Sequence, residues 1–242
     1  MNKNVFASVM LVAVSVGARA DTITLNPVAD LRIFSFQPNT NDNFEGLSTL
    51  NASGNDQRTL IEFDYSALAG ATIQSATLRL RGASFSGSTA PTSTDLYRVI
   101  RSWVETTASW NSSDSGISWT NPGGDAVGTT GSQLTDPYYH WTGNQTAAPS
   151  WYEFDAAALV SSELTGGLAN DGMLLDGASG NSLVYVSREG NSFSGVAGNA
   201  TDIPQLVVNY TPSPEPASCL TLGAIAGAML TKRRSQKTRK VS

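Results

Sequence analysis

Apolar and polar residues alternate along much of the chain between residues 22 and 210. In Ala76-Thr77-Leu78-Arg79-Leu80-Arg81 the two leucines fall on one face and the two arginines on the other. That period of two marks a strand with one face buried and one wet. Shorter runs of the same kind occupy residues 22–25, 31–34, 59–63, 95–100, 151–154, 172–175, 183–187 and 205–210. Clusters of Gly, Asn, Ser, Asp and Pro separate them, as turns require. Helical periodicity is scarce. The pattern predicts an all-β domain over residues 21–211, a β-sandwich of jelly-roll type.

One local order recurs. Phe63-Asp64-Tyr65-Ser66-Ala67-Leu68 and Phe154-Asp155-Ala156-Ala157-Ala158-Leu159 share Phe-Asp-x-small-Ala-Leu, each directly after a strand. An aspartate there caps a short helical turn and returns Leu68 or Leu159 to the core.

The two ends differ from the middle. Residues 5–16 are apolar, interrupted only by Ser8 and Ser15, after Lys3 and before Ala18-Arg19-Ala20. This order predicts a signal peptide over residues 1–20, cleaved after Ala20. At the other end, Pro214-Glu215-Pro216 precedes a small and apolar run over 217–230, then Lys232-Arg233-Arg234. A short hydrophobic helix with a basic tail over 232–242 is expected there, the cations resting against an anionic inner leaflet. Residues 212–242 then form a terminal segment of their own.

Charge follows the same division. The chain carries 15 Lys and Arg against 20 Asp and Glu. Residues 21–213 keep seven Arg, no Lys and 19 acids, a net charge of −12. A surface of that sign repels nucleic acid and anionic membrane, and a divalent cation or a neutral polymer suits it better. One Cys and one His exclude a disulfide framework within the chain and argue against a Cys/His zinc site. No phosphate-binding Gly-Lys-Ser/Thr motif occurs. A Ser-His-Asp site would have to use His140, and the 19 acids single out no pair for glycoside hydrolysis. The expectation is a protein without catalysis and without a required cofactor.

Several ordered segments resemble a known family. Arg58-Thr59-Leu60-Ile61-Glu62-Phe63-Asp64 and residues 71–80 come first. Arg98-Val99-Ile100-Arg101-Ser102-Trp103-Val104-Glu105, Ala108-Ser109-Trp110-Asn111 and Trp119-Thr120-Asn121-Pro122-Gly123-Gly124-Asp125 follow. Asn170-Asp171-Gly172-Met173-Leu174-Leu175, Ser187-Arg188-Glu189 and Pro204-Gln205-Leu206-Val207-Val208-Asn209-Tyr210 close the set. Together they resemble DNRLRE domains, also classed as carbohydrate-binding module family ninety-six, with Ser109 where the family usually has Thr. The resemblance implies a β-sandwich and, from some members, binding of polysaccharides such as alginate. The C-terminal order resembles the PEP-CTERM sorting signal of Gram-negative bacteria. That likeness implies transient membrane anchoring, processing by an exosortase-type enzyme, and a place at the cell surface or in the extracellular matrix.

Two candidate sites emerge. All five tryptophans lie between Trp103 and Trp151. Trp103 and Trp110 fit core packing, whereas Tyr138, Tyr139 and Trp141 lie in a Gly/Thr/Pro-rich stretch, 123–150, read as a long loop that could present rings to sugar faces. The second candidate is ionic: Asp30 with Asn41, Asp42 and Asn43 gathers hard oxygens of the kind calcium takes. The same residues also make ordinary Asx turns. The reading is an exported carbohydrate-binding or matrix-associated protein. The alternatives are a structural matrix protein without a specific ligand, or a polysaccharide hydrolase or lyase.

Overall fold

The computed structural model describes residues 19–42, 46–51, 54–82, 91–144, 150–177, 182–190 and 201–213. In chain order the strands are β1 (Asp21–Leu25), β2 (Pro27–Phe34), β3 (Leu47–Thr49), β4 (Gln57–Phe63), β5 (Thr72–Arg81), β6 (Pro91–Val99) and β7 (Ser112–Asp114). Then follow β8 (Ile117–Ser118), β9 (Ala126–Val127), β10 (Tyr139–Asn144), β11 (Trp151–Asp155), β12 (Met173–Gly177), β13 (Leu183–Tyr185) and β14 (Gln205–Thr211). Helix α1 (Ala157–Gly166) lies between β11 and β12. Residues Ala20–Pro212 form one compact unit.

The alternation in β5 does what the sequence predicts. Ala76, Leu78 and Leu80 are buried, while Arg79 and Arg81 stand on the other face. β5 sits inside a four-stranded antiparallel sheet of order β1-β14-β5-β11. Its inner face packs on a second antiparallel sheet of order β10-β6-β12-β4-β2, with β9 beside β6. Leu78, Leu80, Phe154, Leu206 and Val208 of the first sheet meet Ile61, Phe63, Leu96, Met173 and Leu175 of the second. This is the expected β-sandwich.

The second sheet is buried on both faces. Leu60 and Ile61 are adjacent and each has no exposure, and Met173, Leu174 and Leu175 are equally buried. Neighbouring residues of a strand point to opposite faces, so Leu60 and Leu174 need a second core. They find it with Leu31, Ile33, Tyr97 and Val99, covered by Trp103, Ala108, Trp119 and Ala126. The cover is a third layer built from the chain between β6 and β10. Burying one large aliphatic side chain is worth about 1.5–3 kcal/mol. Losing the cover over these five aliphatic residues and Tyr97 would forfeit on the order of 10 kcal/mol, comparable with the whole net stability of a domain.

A two-stranded ribbon of β3 and β13 ties the sheets together. A bridge between Leu50 and Gln57 joins it to β4, and one between Gly82 and Tyr185 joins it to the end of β5. The recurring aspartates sit one residue before the caps, which are Tyr65 and Ala156 and make no side-chain cap bond, so they start the turns as Asx turns and not as N-caps. Asp64 accepts from the Ser66 amide at the start of a 3-10 turn, Ser66–Leu68, and Asp155 accepts from the Ala157 amide at the start of α1. Leu68 and Leu159 are fully buried. Among the described residues no helix is long and apolar enough to cross a membrane. The expected signal peptide, the Pro214-Glu215-Pro216 motif and the helix over 217–230 lie outside the described residues.

Candidate functional site

The sequence places two candidate sites, and the structure rearranges both. Residues 123–150 do not form one long loop. They contain β9 and β10, and β10 is the edge strand beside β6. Along β10 the exposure alternates, with Tyr139 and Trp141 half-buried and His140 and Thr142 exposed. Tyr138, Tyr139 and Trp141 therefore lean on the central core instead of standing free. The Trp141 ring lies edge-on to Tyr152 with centroids 5.3 Å apart, and 6.1 Å from Phe154. These three aromatics close the side of the sandwich where β10 and β11 run past each other. His140 points away from that core, and its Nδ1 pairs with Asp95 Oδ1.

A different tryptophan occupies a wet face. Trp151 opens β11, opposite Arg81. The Arg79 and Arg81 guanidinium carbons lie 4.7 and 5.7 Å from its ring centre. Arg79 pairs with Glu153 at 3.0 Å, and Arg81 with Asp202 at 3.6 Å. Registers across the sheet place Arg79 opposite Gln205 and Thr77 opposite Val207. Thr22 on β1 donates to Asn209 Oδ1 at 2.6 Å, and Asn209 donates to Ser75. The outward side of the four-stranded sheet is thus a largely polar surface with one indole near the guanidinium groups of two arginines. The alternation of β5 signalled its arginines; no sequence signal paired them with Trp151.

The ionic candidate keeps Asp30 and exchanges its companions. Asp30 is 1% exposed on β2, the edge strand of the second sheet. Its amide donates to Glu105 Oε1 at 2.9 Å, and its Oδ2 accepts from the Arg188 amide at 2.7 Å. Arg188 holds Glu105 with two bonds of 2.8 Å, one to each oxygen, and lies 2.9 Å from Glu189. Oxygens of Asp30, Glu105 and Glu189 all lie within 4.8 Å of one another. Burial pushes the Asp30 carboxyl up to about 8, with repulsion from Glu189 and Glu105 adding to it and the Arg188 amide opposing it. Asn41 braces this region from outside. Its amide nitrogen donates to the Glu105 and Ala108 carbonyls at 2.7 Å each. Asp42 does not join the group, because its carboxylate is committed to Arg32. Asn43 lies outside the described residues.

Two more buried acids differ in character. Asp125 accepts from the Thr120 and Asn121 amides at 2.9 Å and from Arg101 at 2.6 Å. Burial works to raise its carboxyl, but those donors outweigh it and hold the group below the usual carboxylate range. Glu163 on α1 is 6% exposed, and the Tyr65 hydroxyl approaches it without a well-aligned hydrogen bond. Burial pushes its carboxyl up to about 8, against the pull of Arg98 and Tyr65 and with repulsion from Asp171 and Glu62.

No curated protein matches the sequence. The family described as Disaggregatase related repeat domain, which is related to DNRLRE-type repeats, matches over residues 9–208. That span takes in the third layer, the acidic group at Asp30 and both sheets except the last residues of β14, from Asn209 on, and the chain belongs to the disaggregatase-related repeat domain family.

Proposed function

We propose that this chain is an exported, non-catalytic module that binds polysaccharide on the outward face of its four-stranded sheet. The observation that carries the reading is Trp151 beside the guanidinium groups of Arg79 and Arg81 on a sheet face lined with Gln205, Asn209 and Thr22. An indole stacks on the apolar face of a pyranose ring, while guanidinium and amide groups hydrogen-bond its hydroxyls. The arginines are already paired with Glu153 and Asp202, so the face offers little free positive charge. A neutral glycan suits it better than a polyanion, in keeping with the net charge of residues 21–213. Sorting through the PEP-CTERM-like tail to the cell surface or matrix belongs to the same reading.

The test is a glycan array followed by calorimetry on the full chain and on Trp151→Ala. Binding of a neutral polysaccharide, weakened about tenfold or more in Trp151→Ala, is the expected result, since a stacked ring contributes on the order of 1–3 kcal/mol at a well-packed contact. Equal affinity in the variant overturns the site. No binding to any glycan favours a structural matrix role, and release of cleaved product favours a hydrolase or lyase.

A further inference from the structure

We propose that Asp30, Glu105 and Glu189 form a binding site for one calcium ion. A group of acids alone would not carry this. The second observation is Asp30 Oδ1, which is buried and has no hydrogen-bond partner among the described residues. A buried carboxylate oxygen without a donor is costly, on the order of 1–3 kcal/mol or more. The Asp30 amide and its other carboxylate oxygen are both engaged, the amide by Glu105 and Oδ2 by the Arg188 amide. A cation among the three carboxylates gives Oδ1 the partner it lacks.

Charge agrees with a divalent ion. With the ion bound, three ionised carboxylates against the one guanidinium of Arg188 would leave two negative charges for it to balance. The donor set is all oxygen, which selects hard cations, and its carboxylates come from a strand, a loop and a turn. Calcium tolerates such irregular geometry and a large ligand number, whereas magnesium demands a tighter octahedron. The ion would sit at the edge of the second sheet, where Arg188 already links β2 to the chain after β6. Binding there would cross-link three segments that are distant in sequence. The site is separate from the Trp151 face, and calcium alone serves as its probe.

The experiment uses the full chain, stripped with EDTA and returned to chelator-free buffer. Calcium is titrated by calorimetry, and the melting temperature is followed at rising calcium. One ion per chain with Kd between about 10⁻⁵ and 10⁻³ M, and a melting temperature that climbs with concentration, is expected. Glu189→Gln should weaken calcium about tenfold or more while the metal-free melting temperature stays near that of the parent, because Glu189 sits on a partly exposed turn. Asp30→Asn should abolish binding; should it fail to fold, Glu189→Gln and the ion count decide. Glu153→Gln, an exposed acid on the other sheet, should change nothing. No calcium uptake by the parent chain overturns the site, as does parental affinity in Glu189→Gln. Uptake of zinc or magnesium without calcium overturns the choice of ion.

Discussion

Replacing Glu163 with Gln should flatten the pH dependence of stability on the alkaline side. Glu163 lies beneath α1 at 6% exposure, faced by Tyr65, Glu62, Arg98 and Asp171. Its carboxyl is pushed up to about 8 in the folded chain, from an ordinary value of 4.5. Between those two values the unfolded chain has released the proton while the folded chain still holds it. The folded state then binds more protons, so stability falls as pH rises through this window and levels off above it. One group contributes about 1.4 kcal/mol per pH unit. From pH 4.5 to pH 7.5 the loss reaches at most about 4 kcal/mol, a large share of a domain's net stability. Glutamine keeps the shape and cannot ionise. Urea unfolding of parent and variant at several pH values between about 5 and 8 measures both slopes, and their difference isolates Glu163 from every other acid. The parent should lose stability more steeply by about 1 kcal/mol per unit. Identical slopes would refute the reasoning and mean that Glu163 is ionised in the fold.

Two further outcomes test the architecture. Trp119, 4% exposed and donating from Nε1 to the Ser109 carbonyl, anchors the third layer, so Trp119→Ala should cost about 3–5 kcal/mol by chemical denaturation; a cost near that of a surface change would mean that the layer is not a core. Gly172 has φ of +94° just before β12, and a Cβ there would lie 2.6 Å from the Ile61 carbonyl oxygen. Gly172→Ala should therefore lose at least about 1–3 kcal/mol, and an unchanged unfolding midpoint would contradict the register of β4 and β12.

What the sequence disclosed depends on how each residue meets water. β5 was legible because Leu78 and Leu80 face a core and Arg79 and Arg81 face solvent, so its period is written in the composition. The stretch over Met173, Leu174 and Leu175 reads as a strand of the same kind but has no wet face, because both faces of that sheet are covered. The cover itself, residues such as Trp103, Ala108 and Trp119, follows neither helical nor strand spacing and becomes visible only when folded over Leu60 and Leu174. β10 alternates too, but its small Gly143 and its Gly- and Pro-containing flanks read as loop. An edge strand paired on one side needs less apolar surface than a central one.

The acidic site shows the same limit in sharper form. Local spacing put Asp30 with Asn41, Asp42 and Asn43, whereas the fold joins Asp30 to Glu105 across 75 residues and to Arg188 across 158. No local rule reaches that far. Yet Trp103-x-Glu105 and Ser187-Arg188-Glu189 were among the segments that carried the family resemblance, and their charged members meet at Asp30. A solvated charge on a surface turn has no physical reason to sit at a fixed place in such a pattern. The guanidinium that seals this sheet edge and holds both Glu105 and Glu189 has one, because removing Arg188 leaves Glu105 packed against Asp30 without its cation. Arg188→Ala should therefore destabilise the metal-free chain far more than Arg79→Ala. The latter breaks an ion pair whose Glu153 partner is 57% exposed and a cation–π contact with Trp151, each worth at most about 1 kcal/mol. Equal losses in the two variants would mean that the edge is held by its strands alone and that the three carboxylates are surface groups.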